Sequence, residues 1–195
     1  MHGLVLKTVQ SFTTDLFGTS RWSEVVAAAG FEFEEFEPVL SYDDAVGRRT
    51  LEALCRVLDR PIVEIMEDLG TYLVSHPNCE PVRRLLRFGG ASFEEFLHSL
   101  SDLPDRARLA MPNLQLPMLE FREHSACHFS LTCRGEIPNF GHVLVGTLRA
   151  MADDYGALAL VDYRGGSQQT EVLAITLLDT AYASGREFNL GAMIA

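Results

Sequence analysis

A proline interrupts the strongest helical pattern in this chain. Apolar residues repeat at intervals of three and four, the spacing of an amphipathic helix with one buried stripe; they are Phe93, Phe96, Leu97, Leu100 and Leu103. Pro104 follows at once. A proline inside a helix costs about 3 kcal/mol, because it lacks the N–H and its ring clashes with the preceding turn. The sequence therefore predicts a break at this point.

A new helix that begins just after the break would accommodate Pro104. Ser101 or Asp102 is a suitable N-cap for a fresh helix over residues 103–110. Pro104 then lies near the first helical position, where a missing N–H removes no hydrogen bond. We expect a hinge here between a helical part and a strand-rich part.

The chain before the break predicts helices. Amphipathic patterns indicate helices over 1–17, 22–29, 41–58, 62–72 and 80–88, with Gly18 and Gly30 as stops. Ser92 is a good N-cap for the helix that begins at Phe93, and Glu95 stands at the capping-box position.

The chain after the break predicts strands around one further helix. Alternating patterns indicate strands over 119–121, 127–133, 157–163 and 171–178, and helical spacing returns over 140–155. A helical first part followed by a strand-rich part is an α+β arrangement.

Charge and composition exclude several classes of protein. A net charge of −11 argues against a nucleic-acid partner, whose phosphates require clustered Lys and Arg. Hydrophobic residues make up 47% of the 195 residues, enough for a sizeable core. No apolar run approaches about 20 residues, and the start lacks a signal-peptide pattern. We therefore expect a cytoplasmic protein with no membrane partner.

Two further features leave their roles open. The four cysteines form no CxxC pair, so we expect reduced thiols. The segment 31–37 alternates phenylalanine with glutamate, which is typical either of a solvated face or of a contact surface.

Several motifs, in their order and spacing, resemble the H-NOX family of heme-binding nitric oxide and oxygen sensors, which are related to the sensor domain of soluble guanylate cyclase. Those before the break are the opening Met1-His2-Gly3, the set Gly18, Trp22 and Gly30, then Tyr42-Asp43-Asp44 and Leu69-Gly70-Thr71-Tyr72. Those around and after it are the frame at 96–105, then Pro112, Pro117 and the run at 130–135.

The resemblance implies a fold and a function. The fold is a helical N-terminal part followed by an antiparallel sheet with helices. It implies one domain over 1–180, with a helical subdomain at about 1–60 and a pocket-bearing part at about 61–180. Residues 181–195 are then a C-terminal extension of the same domain. The function implied is a non-catalytic sensor of bacterial stand-alone type, which binds heme and a diatomic gas. Its partner is a histidine kinase or a cyclic-di-GMP enzyme.

The resemblance also assigns roles to residues of the cofactor site. Pro104 occupies the position of the family's heme-ligating histidine, and Pro117 matches a proline that presses on the porphyrin. The run Ser130-x-Thr132-x-Arg134 stands where the family's Tyr-x-Ser-x-Arg motif binds the heme propionates. Arginine suits that role because its guanidinium pairs with carboxylates in bidentate fashion. Leu4, Val5 and Leu144 are the expected apolar pocket residues.

The missing histidine leaves two hypotheses. Heme iron needs an axial donor, and proline has none. His98 is the candidate replacement, although six residues on a helix place it about 120° round and about 9 Å along the axis from position 104. The first hypothesis is therefore a heme sensor with non-standard ligation. The second is a heme-free H-NOX fold that serves as an interaction or regulatory domain and holds, at most, another apolar ligand.

Overall fold

The computed structural model describes residues 1–112, 114–167 and 169–188. The described residues divide into two compact units, the first built on residues 1–65 with 114–115 and the second on residues 66–112, 116–167 and 169–188. The division of the family domain at about residue 60 stays a prediction. Of the predicted C-terminal extension at 181–195, residues 189–195 lie outside the described residues.

The first unit is helical. Helix α1 spans Gly3–Phe17, α2 spans Thr19–Ala29, α3 spans Asp44–Leu58, and α4 (Ile62–Ser75) begins in this unit. Gly30 ends α2 with a φ of 64°, a left-handed conformation that glycine adopts without steric cost. Asp43 caps α3 by accepting a hydrogen bond from the backbone N–H of Ala45. The core side chains include Leu6, Phe12, Val25, Phe36 and Leu54.

The predicted break at Pro104 is present. Helix α5 spans Glu80–Arg87, α6 spans Phe93–His98, and α7 spans Leu103–Ala110 after one 3₁₀ turn at Leu100–Asp102. Pro104 is the second residue of α7, where it removes no helical hydrogen bond.

The predicted caps of α6 and α7 have different outcomes. Ser92 caps α6 through its hydroxyl, as predicted. Asp102 does precede α7, but its side chain makes no capping bond. The Ser101 hydroxyl instead accepts a hydrogen bond from the backbone N–H of Phe121, at 3.1 Å.

A four-stranded antiparallel sheet forms the rest of the second unit. Strand β1 spans Met118–Ser125, β2 His128–Arg134, β3 Leu158–Ser167 and β4 Thr170–Asp179, in the order β1-β2-β4-β3. Helix α8 (Phe140–Tyr155) connects β2 to β3. The strands extend a few residues beyond the predicted ranges, since cross-strand pairing continues past the clearest alternation. The α+β prediction is confirmed.

One face of the sheet packs against helices to form the core of the second unit. Apolar side chains of α6, α8, β2, β3 and β4 share one buried cluster. Helix α4 reaches α8 at two glycines, because a Cβ on Gly70 would overlap the carbonyl oxygen of Val143 and one on Gly146 would overlap that of Glu67. The two backbones are therefore in direct contact.

A buried ion pair joins α5 to α8. The Arg83 Nε donates a hydrogen bond to the Asp154 Oδ1 at 2.8 Å, and both side chains are almost fully buried. Arg87 adds a second cation, with its Nε 3.6 Å from the Asp154 Oδ2 and its guanidinium stacked 3.9 Å from the centre of the Tyr155 ring. Removal of either charge would leave the other buried without a partner, which would destabilise the folded protein.

Among the described residues, no helix is long and apolar enough to cross a membrane.

Candidate functional site

Pro104 lies buried in the first turn of α7, at the position that the family resemblance assigns to the iron ligand. Its ring carries no donor atom, and its nitrogen is tied up in the peptide bond. Coordination of heme iron by this side chain is chemically excluded.

The Ser130, Thr132 and Arg134 side chains lie on the sheet face opposite the core. In β2 they alternate with Phe129, Leu131 and Cys133, which are buried in the core cluster. Successive side chains of a strand point to opposite faces, so the two sets cannot face the same space. The motif therefore lies on the open side of the sheet.

Each polar member of this motif has neighbours on that open face. The Arg134 Nη2 lies 3.4 Å from a Glu120 carboxylate oxygen, and the Arg134 side chain is about half exposed. Thr132 lies directly opposite Glu120 of the neighbouring strand β1. The Ser130 hydroxyl lies 2.8 Å from the His124 Nε2. Arg122 lowers the pKa of Glu120 through a side-chain hydrogen bond and through its positive charge. The charge of Arg134 makes a smaller contribution in the same direction.

The core face of β2 is apolar and closed. Phe129, Leu131 and Cys133 are each at most 2% exposed, and Leu144 of α8 belongs to the same cluster. Burial, together with the charge of Glu171, raises the pKa of the Cys133 thiol to about 12. Cys133 is therefore a protonated thiol at neutral pH, and it packs as a small apolar side chain.

The remaining predicted residues lie in both units. Pro117 is buried and lies so close to Gly135 that a Cβ on the glycine would overlap the proline ring. Leu4 and Val5 are half-buried on α1 of the first unit, and the fully buried apolar side chains of that helix are Leu6, Val9 and Phe12.

His98, the candidate alternative ligand, lies at the edge of the core of the second unit. Its ring packs edge-on 5.0 Å from Phe121, and its Nε2 lies 3.5 Å from a carboxylate oxygen of Glu123. The side chain is 47% exposed. His98 thus has a carboxylate partner at the surface.

None of the six histidines, all within the described residues, belongs to the buried cluster. His2 and His76 accept backbone N–H groups at helix starts. His124 lies near Ser130, and His128 near Ser125 and Cys127. The His142 side chain is 12% exposed, with its Nδ1 3.2 Å from Glu67 and its ring stacked 4.1 Å from that of Tyr163.

The sequence contained a signal for the orientation of β2. The apolar alternation Phe129, Leu131, Cys133 predicts that this set faces the core, and the structure agrees. The family motif consists of the intervening polar residues, Ser130, Thr132 and Arg134, which lie on the opposite face. Residues such as Asp154 and Glu67 had no such signal, because their partners are distant in the chain.

Comparison with known proteins places this geometry in a family. A sequence profile described as Haem-NO-binding matches residues 2–160, more than four-fifths of the chain. The chain belongs to the H-NOX family. Its domains are sensors and not catalysts, so the expectation of a non-catalytic domain is confirmed.

Relatives and solved structures agree with this membership. The chain is 24% identical over 154 residues to "Soluble guanylate cyclase gcy-31" of Caenorhabditis elegans; the match covers 79% of this chain but only 22% of that protein. An H-NOX protein from S. oneidensis in the Fe(II) ligation state superposes with a TM-score of 0.77 at 14% identity, over 92% of this chain and 97% of that one. An H-NOX structure from work on the mechanism of H-NOX activation gives 0.75 at 15% identity, over 94% and 100%.

Heme is the cofactor that family membership implies, and the residues present do not fit a histidine-ligated heme. Position 104 offers no donor, and the core face of β2 offers phenylalanine, leucine and a protonated thiol. The matching arginine lies on the other face, beside Glu120.

Proposed function

We propose that this H-NOX domain is a regulatory module that acts through contact with a partner protein and without a histidine-ligated heme. The observation that carries the proposal is the buried Pro104 at the ligand position, within the first turn of α7. The apolar core beside β2 supports it, because Phe129, Leu131 and Cys133 are buried in that core and offer iron no donor other than a protonated thiol.

A bacterial histidine kinase or a cyclic-di-GMP enzyme, the partner types predicted from the sequence, is the expected receiver of the signal, and we place the domain in the cytoplasm. A diatomic gas on histidine-bound iron is not its input. The domain keeps the family's fold and regulates through protein surfaces.

Titration of the purified protein with hemin tests this proposal. We expect no Soret band of a histidine complex to survive desalting, because no imidazole belongs to the buried cluster. A stoichiometric Soret band that disappears in the His98→Ala variant would overturn the proposal and establish the heme sensor with non-standard ligation.

A second variant separates loss of the ligand from loss of the pocket. Pro104→His restores an imidazole at the family's position. We expect it to stay free of heme as well, since Phe129, Leu131 and Cys133 still occupy the core face. Heme uptake by Pro104→His, with none in the parent protein, would show instead that the pocket is intact and only the ligand was lost.

A further inference from the structure

The segment that follows β4 lies against α5 and the C-terminal end of α8, and it is exposed along almost its whole length. It starts at a turn in which the Ala181 backbone N–H donates to the Asp179 Oδ1 at 2.9 Å. Residues 180–187 are exposed, and Phe188 is half-buried. We call residues 180–188 the strap.

Backbone contacts hold the middle of the strap against the end of α8. The Ala183 N–H donates to the carbonyl oxygen of Gly156 at 3.0 Å, and the Arg186 N–H donates to that of Asp154 at 2.9 Å. A Cβ on Gly185 would lie 2.8 Å from the same Asp154 oxygen, which is too close for a carbon atom. This part of the strap is therefore held by backbone groups and buries no apolar side chain of its own.

The end of the strap covers two guanidinium groups of α5. The centre of the Phe188 ring lies 5.6 Å from the Arg83 Cζ and 5.0 Å from the Arg87 Cζ, within the range of a cation–π contact. The Arg83 Nη2 also donates to the backbone oxygen of Glu187 at 3.0 Å. The strap thus lies beside the buried ion pair between Arg83 and Asp154.

Polar atoms beside the Phe188 ring are left without hydrogen bonds. In the part of the chain that the structure describes, the Arg87 Nε and Nη1 and the Asp154 Oδ2 are buried and have no hydrogen-bond partner. A buried polar atom without a partner costs free energy, and water would satisfy it if the strap moved away. The docked strap is therefore held by few contacts and opposed by this cost.

We propose that residues 180–188 form a detachable strap, which opens and closes over Arg83 and Arg87 while the second unit stays folded. In the closed state Phe188 lies on the two guanidinium groups. In the open state water reaches the Arg87 guanidinium, so the strap controls whether this group is accessible. The inference depends neither on heme nor on the identity of a partner, so its experiments fail independently of the hemin titration.

Native-state hydrogen exchange tests whether the strap opens by itself. The Ala183 and Arg186 N–H groups donate to the end of α8 in the closed state, so they are protected only while the strap is docked. We expect them to exchange at least about a hundredfold faster than core amides of β4, at rates nearly independent of low urea concentrations. Exchange at the core rate would show opening only by global unfolding, and exchange at the rate of an unstructured peptide would show no docking. Either result would overturn the proposal.

Two variants remove the docking contacts by different means. Phe188→Ala removes the ring from the guanidinium groups, and Gly185→Ala places a Cβ against the Asp154 carbonyl oxygen. We expect each to raise the exchange rate of the Arg186 amide about fivefold or more, with an unchanged circular dichroism spectrum. The control is Tyr182→Ala, which removes a 66% exposed ring from the same strap and is expected to change this rate less than about twofold. Equal rates in the three variants would refute the docking contacts.

Chemical modification tests whether the strap controls access to Arg87. Phenylglyoxal reacts with accessible guanidinium groups, and the Arg87 side chain is 12% exposed, against 55% for Arg108. We expect Phe188→Ala to raise the modification rate of Arg87 relative to Arg108 about fivefold or more, as measured by mass spectrometry of the peptides. An unchanged ratio, together with faster exchange of the Arg186 amide, would show that opening does not uncover Arg87 and would overturn its control by the strap.

Discussion

Asp154 is a buried residue whose charge is important for stability. Its carboxylate is buried between Arg83 and Arg87, and its removal leaves the buried guanidinium of Arg83 without its main partner. We expect Asp154→Ala to lower the free energy of unfolding by about 3–5 kcal/mol, as measured by urea denaturation. The control is Asp105→Ala, whose exposed pair with Arg108 contributes at most about 1 kcal/mol. Similar losses in both variants would contradict the burial argument.

Cys133 makes stability depend on alkaline pH. Its folded-state pKa of about 12 lies above the unfolded value near 9, so the unfolded chain loses the thiol proton first. The stabilisation is complete below pH 9 and is lost progressively as the pH rises toward 12. Between pH 9 and 10 we expect the protein to lose about 1 kcal/mol more unfolding free energy than Cys133→Val. Urea denaturation at both pH values measures this, and parallel losses would refute the assignment.

At the scale of elements, the α4–α8 contact depends on the absence of two side chains. Gly70 and Gly146 each face a carbonyl oxygen of the opposite helix, which a Cβ would overlap. Backbone cannot retreat as a flexible side chain can, so the helices must separate if either glycine is replaced.

Gly146→Ala tests this helix contact. We expect a loss of about 1–3 kcal/mol or more in urea denaturation, despite the higher helix propensity of alanine. Gly47→Ala is the matched control, because the atoms nearest to a Cβ there would be the Cε and Sδ at the flexible end of the Met1 side chain, and no backbone atom is among the three nearest. It is expected to cost under about 1 kcal/mol or to stabilise α3. A gain in stability for Gly146→Ala would show that the helices are not in backbone contact.

At the scale of the whole molecule, the family fold is retained although the solved H-NOX structures cited above share only 14–15% identity with the chain. The helices, the break at Pro104 and the four strands were all predictable, because apolar periodicity and proline act over a few residues. The family was predictable too, since its motifs keep their order along the chain. The loss of the histidine ligand was visible in the sequence at Pro104. The position of Arg134 on the open face of β2 became clear only from the strand's orientation in the structure.

The sequence by itself determined where each helix and strand begins and ends to within a few residues, and that residue 104 cannot bind iron. Tertiary structure alone decided which distant groups meet: the Arg83 guanidinium and the Asp154 carboxylate, the backbones of α4 and α8 beside Gly70 and Gly146, and the Gln10 Oε1 and the backbone N–H of Phe36. The physical reason is range. Periodicity and capping follow from neighbours within one or two turns, whereas burial, pairing and enclosure arise only when elements pack across tens of residues.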